Sequence, residues 1–112
     1  MEVLGLGFSI LSDRLLKFIV KRAVGLPADD IDLQKIVGSS KYTLMRKAVG
    51  SVASIIVTEK NGHLRCGLCG KGPFTRRGLY LHLIRIHGDE ILNMVEEKYE
   101  ELVKNYSEIT WY

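Results

Sequence analysis

The spacing Cys66-x2-Cys69-x12-His82-x4-His87 constrains this chain more than any other feature of its 112 residues. Two thiolates on a tight knuckle and two imidazoles on a following helix can meet one tetrahedral Zn2+ at bond lengths of about 2.3 Å and 2.0 Å, and few other four-residue spacings allow that. Both cysteines of the chain are used by it. A redox role for Cys66-Gly67-Leu68-Cys69 would need a strand-helix-strand setting that the flanking residues do not spell, and a structural disulfide would need an oxidising compartment to which no signal peptide points. His63, just ahead of the knuckle, is a spare imidazole expected on the solvated edge of a hairpin.

From Leu64 to His87 the chain resembles the C2H2 zinc finger. Leu79 stands three residues before the first histidine, where that family places its core leucine. Leu64 replaces the usual aromatic before the first cysteine, and the core phenylalanine arrives one residue late, as Phe74 behind Pro73. The resemblance implies a ββα module holding one structural zinc ion through Cys66, Cys69, His82 and His87. It also puts Thr75, Arg77, Gly78 and Leu81 where the family reads bases. Gly78 and Leu81 offer no hydrogen-bonding side chain, so this finger is a poor sequence reader. Its helix carries Leu79, Tyr80, Leu81, Leu83, Ile84 and Ile86 around most of its circumference, more apolar surface than an isolated finger buries. Zinc is therefore expected to clamp a hairpin to the C-terminal helices, with Lys71, Arg76 and Arg77 near phosphates.

Upstream, the stretch from Asp32 to Arg46 resembles the helix-turn-helix of bacterial and archaeal transcription regulators, with Leu33, Ile36 and Val37 on an inner face, Gly38 at the turn, then Ser40, Thr43, Leu44 and Arg46. Gln34 stands where that family prefers alanine. Gly38 can take a positive φ, Ser40 is a suitable N-cap, and Leu44 is expected to return to the core. The resemblance implies a recognition helix whose Ser40, Lys41, Tyr42, Thr43, Arg46 and Lys47 meet base edges and phosphates. No acidic residue lies between Lys35 and Glu59.

The flanks predict a winged helix. Ser12 to Val24 has apolar residues at helical spacing, Asp13 suits a first turn, and Gly25 and Pro27 end the helix. Ile55-Ile56-Val57-Thr58 reads as a strand, Asn61-Gly62 as a tight turn and His63-Leu64-Arg65 as the returning strand, which places Lys60 at the wing tip. Beyond Gly88-Asp89 a helix to about Tyr106 carries Leu92, Val95, Tyr99, Leu102 and Tyr106 as a two-heptad seam. That seam could form a homodimer or pack within its own chain.

Charge is segregated: residues 1–65, 66–88 and 89–112 carry +4, +4 and −5. The front can face a polyanion that the tail would repel. With 46% hydrophobic and 26% charged residues the composition is that of an ordinary globular chain. No apolar run reaches a membrane span, which together with the missing leader predicts a soluble, intracellular (cytoplasmic) protein that does not engage a membrane.

The expected architecture is mainly α with a small β-hairpin: a winged helix-turn-helix over 1–62, a C2H2 finger over 63–88 and an amphipathic helix over 89–112. No catalytic set is visible, so an enzyme is not expected. The functional expectation is a DNA-binding protein, a transcriptional regulator, with double-stranded DNA as partner. An RNA- or ribosome-associated protein and a protein-interaction adaptor are the alternatives.

Overall fold

A computed structural model describes the backbone of residues 5–110 and the side chains of residues 12–106. It is mainly helical with one small antiparallel hairpin, in the order α1 (Gly5–Val24), α2 (Asp30–Val37), α3 (Ser39–Ile56), β1 (Val57–Lys60), β2 (His63–Cys66) and α4 (Arg76–Thr110).

Helix α1 begins well before Ser12, so Asp13 lies in mid-helix and not in a first turn, where it pairs with Lys17 at 3.1 Å. Its apolar positions Leu16, Ile19, Val20 and Val24 point into the core. The helix closes on paired C-terminal bonds, as the N–H groups of Gly25 and Leu26 both donate to the Lys21 carbonyl at 3.1 and 2.9 Å. Helix α2 starts at an Asp29 cap whose carboxylate accepts from the Ile31 N–H at 3.0 Å. Leu33 is fully buried, with Ile36 and Val37 packed beside it.

The joint between α2 and α3 is a single residue. Gly38, at φ 87°, serves both as the C-cap of α2 and as the N-cap of α3. Ser40 therefore sits inside α3 instead of capping it, because the reversal completes one residue earlier and leaves the serine a helical position. Met45, Ala48, Val49, Val52 and Ile56 form the buried stripe of α3. Leu44, expected in the core, is only half-buried, and its neighbour Met45 takes that place.

The predicted strand at Ile55-Ile56 is helical. Ile56 completes the buried stripe of α3 one turn after Val52, and its burial outweighs the strand preference of a β-branched run. Pairing starts at Val57, opposite Cys66, and runs to Lys60 opposite His63. The turn takes φ values of 55° at Asn61 and 80° at Gly62, the backbone of a type I′ hairpin.

Finger helix and C-terminal helix, which together make up α4, meet across a kink at His87 (φ −117°, ψ 16°), one residue before the Gly88-Asp89 break expected from the sequence. Leu79 and Leu83 before the distortion, and Ile91 and Val95 after it, join residues of α1, α2, α3 and β2 in one continuous core. Of the heptad seam, Val95 is buried in this core, Leu92, Tyr99 and Leu102 pack against it, and Tyr106 is exposed. Among the described residues no helix is long and apolar enough to cross a membrane.

Candidate metal centre

Three elements bring four ligand side chains together. Cys66 ends β2, Cys69 follows on the knuckle, and His82 and His87 project from α4. One donor atom from each lies within 4.8 Å of all the others. A tetrahedral ion with bonds of about 2.0–2.3 Å needs its ligand atoms about 3.3–3.8 Å apart, so a small inward adjustment would close the shell. Cys69 Sγ and His82 Nε2 are already 3.4 Å apart.

The histidine spacing explains the distortion in α4. Residues five apart lie about 140° around a regular helix, which would point the two imidazoles away from a common centre. The departure of His87 from helical φ/ψ turns its ring back. There its Nδ1 lies 3.0 Å from the Glu90 carboxylate, while Nε2 is buried with no protein partner. A buried nitrogen facing two thiols, its ring oriented by a carboxylate on the far side, is the arrangement a metal-binding imidazole uses.

The thiols differ. Burial pushes the Cys66 thiol up, whereas the Lys71 backbone N–H, followed by His87, holds the exposed Cys69 thiol down to about 6. Burial would lower the pKa of His87, but the neighbouring Cys69 thiol and the Glu90 carboxylate outweigh this and raise it. The Leu68 N–H donates to Cys66 Sγ at 3.4 Å. Two soft thiolates and two imidazoles can hold a metal ion of borderline softness.

The knuckle is anchored to the helices on both sides. The Gly67 N–H donates to the Ile56 carbonyl at the end of α3, 2.8 Å away, and a Cβ on Gly67 would collide with the Ile55 carbonyl oxygen. Only glycine permits that approach. Across the knuckle, Phe74 pairs with Leu64 in a single bridge, and its ring lies 4.9 Å from that of His82. The Thr75 hydroxyl accepts from the Gly78 N–H at 2.9 Å and so caps α4 instead of projecting outward. The guanidinium of Arg76 donates to the Val24 carbonyl at 2.7 Å and closes the C-terminus of α1. Glu90, Gly67 and this role of Arg76 escape a reading by motif. Glu90 alone leaves a local trace, three residues after a ligand histidine.

The residues expected at a nucleic acid are distributed unevenly. Ser40, Lys41, Thr43, Arg46 and Lys47 are all exposed on α3, and Lys60 is exposed at the hairpin tip. Tyr42 is half-buried, its phenol pushed up by burial and by the Asp30 carboxylate, so it faces α2. Arg76 is engaged with α1, and Arg77 lines a groove between α1 and α4. His63 is exposed on β2. On the finger helix Leu79 and Leu83 are fully buried, while Leu81 and Ile86 remain 39% and 66% exposed. No protein-family model matches the chain, and no match was found among curated proteins or solved structures.

Proposed function

We propose that this chain is a DNA-binding protein of the winged helix-turn-helix type, acting in transcriptional regulation, in which one zinc ion has a purely structural role. The observation that carries the reading is the outer face of α3. Opposite the buried stripe, Ser40, Thr43, Arg46 and Lys47 are exposed together, and continue into exposed Gly50 and Ser54. No carboxylate interrupts the stretch from Lys35 to Glu59. Hydroxyls and cations along one solvent-facing helix suit base edges and phosphates in a major groove.

The element order supports the same reading. A helix pair joined at a positive-φ glycine is followed directly by a hairpin with an exposed cationic tip, in the position of a wing. The all-protein Cys2His2 set leaves no position for substrate, so bound zinc would supply cross-linking alone. Gly67 would transmit that cross-link to the end of α3, fixing the helix relative to the hairpin. The C-terminal segment, with its excess of carboxylates, would lie away from the DNA.

Fluorescence anisotropy with a random-sequence duplex, titrated across salt, tests this. Arg46→Ala with Lys47→Ala is expected to weaken binding and to reduce the salt slope by about 2, one per lost phosphate contact. Binding and slope equal to those of the wild type would contradict the assignment of α3.

A further inference from the structure

We propose that the groove between the end of α1 and the first turns of α4 is a docking site for an acidic peptide segment of a partner protein, one with a large apolar side chain flanked by carboxylates. The groove, of about 430 Å³, is lined by Lys21, Leu26, Pro27, Arg77, Tyr80 and Leu81. It therefore has an apolar floor with a cation on each helix and no carboxylate. Among the described residues neither Lys21 nor Arg77 makes a salt bridge. The acids that follow Pro27 are occupied elsewhere, since Asp29 caps α2 and Asp30 pairs with Arg22.

The chemistry of the lining selects the occupant. Leu81 is 39% exposed, whereas the leucines two residues to either side of it on α4, Leu79 and Leu83, are fully buried, so Leu81 leaves apolar surface along the groove. A nucleic-acid backbone would use the two cations but leave Leu26, Pro27 and Leu81 without a complement. An apolar side chain seated between α1 and α4, with a carboxylate reaching each cation, satisfies both parts of the surface. The walls are preformed because the Arg76–Val24 bond pins the end of α1 to the start of α4. Pre-organisation of this kind lowers the ordering cost of binding.

This site is separate from the outer face of α3 and does not depend on the DNA-binding proposal. The test is selection of a displayed library of random twelve-residue peptides on the full-length, zinc-loaded chain, followed by anisotropy with the enriched peptides. Enriched sequences are expected to carry one large apolar residue flanked by aspartate or glutamate. Leu81→Ser and Arg77→Glu should each weaken them roughly tenfold or more. Replacing the peptide's carboxylates by amides should have a similar effect, with the folded state of each variant checked by zinc content and circular dichroism. Leu81→Ser should leave duplex binding unchanged. Enrichment without acidic residues, binders indifferent to Leu81→Ser, or no enrichment would overturn the proposal. So would displacement of the peptide by duplex DNA, which would make the groove a nucleic-acid surface. Loss of duplex binding in Arg46→Ala with Lys47→Ala bears on α3 alone and leaves this result intact.

Discussion

The α2–α3 region and the knuckle that follows it are held by different physics. In α2 and α3, a capped short helix, a one-residue joint and a buried stripe from Met45 to Ile56 give local structure its own support. From Cys66 to Thr75 there is no helix or named strand beyond the end of β2, and within that stretch only Cys66 is buried. Its backbone is held by a few bonds to neighbouring elements and by whatever joins the four ligands. Segments with little apolar burial rely on cross-links, and here the cross-link falls where burial is thinnest.

The sharpest way to break this comparison is at the ligands. With Cys66→Ser, zinc binding should be lost and the cooperative melt of the α4 region with it, because a structural site can contribute on the order of 10 kcal/mol of apparent stabilisation. An unchanged melting curve would make the knuckle as self-sufficient as α3. Leu83→Ala comes next. It removes a fully buried side chain at the centre of the shared core and should destabilise by roughly 2–5 kcal/mol in chemical denaturation, with zinc still bound. Gly67→Ala should cost about 1–3 kcal/mol through its clash with the end of α3, a contact that joins the two regions. Wild-type stability in that variant would show that they are not coupled there.

Glu90→Gln addresses the orientation of His87. It should lower zinc affinity by about tenfold in a chelator competition while leaving the fold intact. The pH dependence has a definite sign. A Cys69 thiol held at about 6, below its ordinary value, stays available as thiolate at neutral pH, and metal is released as protons compete. Apparent affinity should fall by at least roughly tenfold per pH unit below about pH 6. In α2, by contrast, Asp29→Ala should cost only about 1 kcal/mol and leave zinc affinity alone.

The four ligands, the Gly38 turn and the Asn61-Gly62 hairpin are legible in the sequence because each depends on residue type at fixed local spacing. What is not legible depends on packing at a distance. Ile55 and Ile56 look like a strand until the burial of Ile56 on the α3 stripe is known. Arg76 looks like a phosphate ligand until α1, 52 residues earlier, presents its last carbonyl. Gly67 looks like any knuckle glycine until the end of α3 comes to lie against it. The distortion at His87 falls between these cases. The five-residue histidine spacing already demands it, yet it reads as an ordinary helical repeat if the angle around the helix is not counted.

The central claim is that a metal cross-link at Cys66, Cys69, His82 and His87 holds the knuckle and the ligand-bearing turns of α4 in place, while the α3 stripe is held by the core it shares with the rest of the chain. Amide hydrogen exchange of the full chain, zinc-loaded and then chelated, measures this directly. The expected result is protection through residues 64–87 that falls by orders of magnitude on chelation, with a much smaller loss in residues 45–56. Equal protection with and without metal would contradict the account.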